Sequence, residues 1–70
     1  MILIDFDSEL PIYEQLKRQI IISIAKKEIK PGQRLPSVRQ LAEEIGINLH
    51  TVSKAYNELK ADGYLNIDRR

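Results

Sequence analysis

Residues Leu35 to Gly63 read LPSVRQLAEEIGINLHTVSKAYNELKADG, and local signals alone place two helices in this stretch. Ser37 follows Pro36 and precedes an apolar-periodic run. With Gln40 three residues on, Ser37-Val38-Arg39-Gln40 fits a reciprocal capping box, in which each side chain bonds the other residue's backbone N–H. Val38, Leu41, Ala42 and Ile45 recur at helical spacing and form a stripe to be buried. Gly46 follows the last of them, where a left-handed C-terminal residue is wanted. Asn48 offers a new N-cap, Val52, Ala55, Tyr56 and Leu59 make a second stripe, and Gly63 closes that helix. Only Gly46 and Ile47 separate Ile45 from the Asn48 cap, so the two helices must cross steeply and share one core.

This is the layout of a helix-turn-helix over residues 37–62, a unit that usually places its second helix in the major groove of DNA. At about 100° per residue, the positions opposite the Val52/Ala55/Leu59 stripe are His50, Ser53, Lys54, Asn57 and Ala61, with Thr51 and Glu58 on one flank. The first two turns thus carry hydrogen-bonding groups, one cation and no acid, which is what base edges and phosphates demand. A solvated face of chance polar composition is the competing explanation, and the helix-turn-helix setting weighs against it. Arg39, on the outer face near the capped start of the first motif helix, suits a phosphate or groove-edge contact. Its alternative is an ion pair with Glu43, four residues on.

Outward from this unit the chain is simple. The first helix is expected from about Pro11 to Glu28, since proline fits a first turn whose N–H has no helical partner. Ile12, Leu16, Ile20 and Ile24 form its stripe, flanked by Tyr13. Residues 1–9 open on the apolar, β-prone MILIDF, read as a short strand or an ordered arm. Lys30-Pro31-Gly32 is a turn, Gln33-Arg34-Leu35 a very short strand, and Tyr64-Leu65-Asn66-Ile67 a further strand. Ile22 lies nearly opposite the first helix's stripe. It is either a lone exposed isoleucine or a residue that packs on the arm, a second subunit or a further domain.

Seventy residues make one domain near the lower limit for a self-supporting core. Cysteine is absent, there is no basic region followed by a long apolar stretch, and the longest apolar run is Ile20-Ile21-Ile22. These features point to a cytoplasmic protein with no disulfide framework, no signal peptide and no membrane span. Net charge is only +1, but it is unevenly spread: Asp5, Asp7, Glu9 and Glu14 precede seven cations against Glu28 alone between Lys17 and Arg39. For Lys26, Lys27 and Lys30 the simpler explanation is the dipole at a helix C-terminus. Enzymatic readings fail on inventory. His50 is the sole histidine, without a carboxylate or second ligand at metal spacing, and Glu43 and Glu44 are adjacent and diverge. No glycine-rich phosphate loop is present. No enzyme, cofactor or metal is therefore expected. Two classes remain, sequence-specific DNA binding and a protein-docking module on the same type of fold.

Several motifs together resemble a family. Pro11-Ile12-Tyr13-Glu14-Gln15-Leu16, Ile29-Lys30-Pro31-Gly32, Leu35 to Ala42, Asn48 to Tyr56 and Asp62-Gly63-Tyr64-Leu65 look like the N-terminal DNA-binding domain of GntR-family bacterial transcription regulators. The PIYEQ opening and the TVSKAY core are most similar to the short-tailed YtrA-like branch. The resemblance implies a winged helix, mainly α with a small β component: three helices plus short strands, with residues 64–70 starting the wing. It implies DNA contacts from Arg39 and from Asn48, His50, Thr51, Ser53 and Lys54; Ser37 and Asn57, on the same helix surfaces, and Arg69 and Arg70 in the wing are expected to join them. The family commonly has a polar or small residue where this chain has Leu49. It further implies a palindromic double-stranded operator, a homodimer, and a small-molecule effector bound by a domain behind the wing. This chain stops at Arg70, before the wing tip, and is read as the DNA-binding piece of a larger regulator. The alternative is a natural end with the wing supplied otherwise.

Overall fold

The computed structural model describes residues 3–30 and 35–65. Three helices follow in order, α1 (Ile12–Ala25), α2 (Val38–Ile45) and α3 (Leu49–Ala61). α3 packs against both α1 and α2, while those two do not pack on each other. The core is built largely as the apolar stripes predict, except that Ile12, half-buried at the start of α1, does not join it. Leu16 and Ile20 from α1, Leu41 and Ala42 from α2, and Val52, Ala55, Tyr56 and Leu59 from α3 are buried together. Tyr13, Ile24, Val38 and Ile45 pack half-buried around them. α3 contributes four of the eight buried apolar residues, so it is the element whose orientation the core fixes most firmly.

The caps of α2 and α3 come from the residues that the sequence nominates. The Gln40 N–H donates to Ser37 Oγ at 3.1 Å and the Ser37 N–H to Gln40 Oε1 at 3.0 Å, completing the capping box. Gly46 ends α2 at φ +82°, a left-handed conformation that glycine adopts without steric cost. Its N–H and that of Ile47 both return to the Ala42 carbonyl. Ile47, one residue before the Asn48 cap, is half-buried on the same core as Val52, the arrangement of a hydrophobic staple.

α1 is shorter than the expected Pro11–Glu28. Pro11 stands outside the first turn as the N-cap, with ψ 146°, and its carbonyl accepts the N–H groups of Glu14 and Gln15. At the other end Lys27 takes φ +62°, the Lys27 N–H donates to Ile24 O, and the Glu28 N–H donates to Ser23 O. This is a Schellman reversal, which α3 repeats at Gly63 through Gly63 N–H to Lys60 O and Tyr64 N–H to Leu59 O. The reversal at Lys27 lets half-buried Ile29 turn back onto the core, which a helix continued through Glu28 would prevent.

No strand occurs among the described residues. Residues 3–5 are an extended arm rather than a paired strand, and two glutamines hold it on α1. Gln15 Oε1 accepts the Asp5 N–H and Gln15 Nε2 donates to Asp5 O and Leu10 O. One turn on, Gln19 does the same for both backbone groups of Leu3. Residues i and i+4 of a helix thus match residues i and i+2 of an extended chain, which explains a buried Gln15 in an apolar helix. Ile22 stays half exposed and outside the core, so the arm does not cover it. Of the expected strands, Leu35, Tyr64 and Leu65 are not in strand conformation, and Gln33, Arg34, Asn66 and Ile67 lie outside the described residues.

Candidate nucleic-acid interface

The outward side of α3 is set by the burial of its inward side. With Val52, Ala55 and Leu59 fully buried, His50, Lys54 and Asn57 are exposed, and Ser53 between them is half-buried. Thr51, on the flank, is half-buried as well. His50, Ser53, Lys54 and Asn57 stand at i, i+3, i+4 and i+7 and so share one face over two turns. No acidic residue occupies the first turn of α3.

Both helix N-termini point polar groups the same way chemically. Asn48 Oδ1 accepts the His50 N–H at 2.7 Å, leaving the Asn48 amide NH2 with no partner among the described residues. Ser37 Oγ is likewise spent as an acceptor from Gln40, while its hydroxyl hydrogen remains a donor. Unsatisfied N–H groups and the helix dipole add partial positive charge at each start, the environment an anionic phosphate favours. Arg39 is exposed near the start of α2. The ion pairs among the described residues are Lys17–Glu58 and Arg18–Glu14, so Arg39 is not tied to Glu43. Arg69 and Arg70 lie outside the described residues.

Two contacts at this surface were not foreseen from sequence. Lys54 Nζ sits 3.9 Å from the centroid of the Tyr13 ring on α1. Lys17 Nζ lies 2.8 Å from Glu58 Oε1, and this hydrogen-bonded carboxylate holds the Lys17 ammonium above its ordinary pKa of 10.5. The available signal was spacing: Tyr13 and Lys17 are four apart on α1, as Lys54 and Glu58 are on α3. Leu49 is also exposed, beside Arg39, Glu43, Gly46 and Ile47 in a shallow hollow between α2 and the start of α3. A larger cleft, about 650 Å³, lies elsewhere, between the arm, the end of α1 and α2. Tyr56 is its only lining residue from α3. Among the described residues no helix is long and apolar enough to cross a membrane.

With this geometry in view, the comparison with known proteins is decisive. Residues 12–70 match the model of the bacterial regulatory proteins of the gntR family. The chain belongs to the GntR family. It is 51% identical over 65 residues to the HTH-type transcriptional repressor YtrA of Bacillus subtilis, covering 93% of this chain and 50% of that protein. The HTH-type transcriptional repressor NagR of the same organism is 39% identical over 62 residues, covering 89% of this chain and 26% of NagR. Among solved structures, YtrA from Sulfolobus acidocaldarius, a GntR-family transcription factor, superposes with a TM-score of 0.94 at 51% identity, covering 99% of this chain and 73% of that one. The chain therefore has the GntR helix-turn-helix fold, and it spans half the length of the Bacillus YtrA it matches.

Proposed function

We propose that this chain binds double-stranded DNA sequence-specifically, as the operator-binding domain of a GntR transcription regulator. The observation that carries the reading is the outer face of α3. It is a two-turn surface of His50, Ser53, Lys54 and Asn57 with no acid in its first turn, held rigidly by four buried residues behind it. In this reading α3 enters the major groove. Lys54 and Asn57 supply donors for purine edges or phosphates, and His50 and Ser53 add shorter hydrogen-bonding groups. Asn48, through its unspent amide NH2, and Thr51 contact the backbone beside the start of α3. Ser37 and Arg39 hold a phosphate at the start of α2, and Arg69 and Arg70 extend the contact along the adjacent backbone.

Such a module reads one half-site, and the small surface it buries gives modest affinity on its own. The native protein is accordingly a homodimer on a palindromic operator, working in the cytoplasm, with a small-molecule effector bound outside this domain. The naming of YtrA and NagR as repressors supports a role in repression. Selection from a randomised duplex library tests the function. The native protein should enrich one inverted-repeat sequence, and an Asn57→Ala or His50→Ala variant should relax that sequence at defined positions. Failure to enrich any duplex would overturn the reading and leave protein docking as the role of this face.

A further inference from the structure

Lys54 and Glu58 stand four residues apart on α3, the spacing at which a lysine and a glutamate on one helix ordinarily pair. They do not. Glu58 Oε1 is 2.8 Å from Lys17 Nζ, and Lys54 Nζ is 3.9 Å from the Tyr13 ring centroid. Tyr13 and Lys17 are themselves four apart on α1, so two parallel rungs cross the α1–α3 interface. The partition has an electrostatic consequence. Lys17 cancels the carboxylate that would otherwise draw Lys54 back along its own helix. The tyrosine ring attracts the Lys54 ammonium through its quadrupole and so orients it without neutralising its charge. Lys54 stays exposed with its full positive charge, while Tyr13 and Lys17 are half-buried behind it.

We propose that Tyr13 and Lys17 are positioning residues for DNA binding, which hold the Lys54 ammonium outward and uncompensated for a phosphate or a purine edge. The proposal rests on the reading of the α3 face as the DNA surface. It assigns α1, which carries none of the expected contacts, a defined part in affinity. It also separates the roles of two side chains. The ring at Tyr13 matters through its face, so its hydroxyl is dispensable. Lys17 matters through its pairing with Glu58, so removing both charges together restores the arrangement.

The test is duplex affinity of the native protein as a function of salt, on a duplex enriched from a random library by the wild type. Lys54→Ala should weaken binding and make the log–log salt slope shallower by about 0.9, one phosphate's share. Tyr13→Phe should bind like wild type. Tyr13→Leu should bind about two- to fivefold more weakly, the size of an exposed cation–π contact, and should add no further loss in the Lys54→Ala background. Lys17→Met should weaken binding, and Lys17→Met with Glu58→Gln, which has the wild-type net charge, should recover it. An equal Tyr13→Leu effect with or without Lys54 would show a merely structural role and overturn the proposal. Tighter binding by Tyr13→Leu would overturn it too, because the ring would then be sequestering Lys54. If Lys54→Ala binds like wild type, the assignment of Lys54 to the DNA surface fails and the proposal falls with it. If Lys54→Ala weakens binding but Tyr13→Leu does not, the proposal alone falls. Should Tyr13→Leu not fold, as judged by its melting curve, the Lys17 and Glu58 variants decide.

Discussion

At the scale of single residues, two side chains hold positions that ordinary chemistry disfavours or rewards. Lys27 sits at φ +62° in the reversal that ends α1, a conformation costing a non-glycine residue about 1–2 kcal/mol. Lys27→Gly removes that cost and returns part of it as unfolded-chain entropy. The net gain should be about 0.5–1 kcal/mol, a rise of a few degrees in melting temperature on a thermal scan. No signal in the sequence marks this residue. A lysine near a helix end suggests the dipole, and only the requirement that Ile29 reach the core forces the turn there. Tyr56 is the second case. It is buried and its hydroxyl donates to Pro36 O at 2.7 Å, linking α3 to the segment before α2. Burial, and secondarily the Glu44 carboxylate, push its phenol above the ordinary 10.0. A phenol raised in the folded state stabilises the fold below its ordinary value, and that contribution fades as pH climbs past 10.0 and through the raised value. Tyr56→Phe should therefore lose about 1 kcal/mol at neutral pH, and its melting temperature should fall less steeply than wild type above pH 10.0.

The elements divide into those whose boundaries are local and those that depend on distant partners. α2 and the start of α3 were legible because their signals are contained within a few residues: Ser37 with Gln40, Gly46 in its left-handed turn, Asn48 on the His50 N–H. The polar face of α3 was legible for the same reason, since periodicity alone fixes which side is inward. The Gln15 and Gln19 clamp on the arm, and the Tyr13–Lys54 and Lys17–Glu58 rungs, join residues separated by up to 41 positions. The i, i+4 spacing within each helix makes such rungs feasible, but no local pattern says which helix faces which. The dual duty of Asn48 yields a prediction at this scale. Asn48→Asp keeps a cap of equal quality and adds a favourable charge at the helix start. It also replaces an amide donor by a carboxylate on the proposed DNA surface. Melting temperature should hold or rise while duplex affinity falls. Asn48→Ala should instead lose about 1 kcal/mol of stability. An Asn48→Asp variant that binds DNA as well as wild type would remove Asn48 from the contact surface.

For the molecule as a whole, the core gathers in α3, so the proposed DNA face and the stability of the domain share one helix. Among the described residues the large apolar side chains left exposed are Leu3, Phe6, Ile22, Leu49 and Tyr64, the first three most, by 72%, 62% and 50%. They are few and scattered on a chain that covers half of the Bacillus YtrA. The 70-residue chain alone should sediment as a monomer at micromolar concentration. A tight dimer there would make Leu3, Phe6 and Ile22 an interface. Arg69 and Arg70 are read as DNA contacts only through family resemblance, because they carry charge but no periodicity. In the proposed reading Lys54 on α3 and Arg39 on α2 meet phosphates, and counterion release measures that contact. In a titration of duplex binding against salt, log affinity should fall linearly with log salt, with a slope of about −3 or steeper for three or more phosphates. A slope near zero, or no duplex binding at low salt, would contradict the assignment of α3 to DNA.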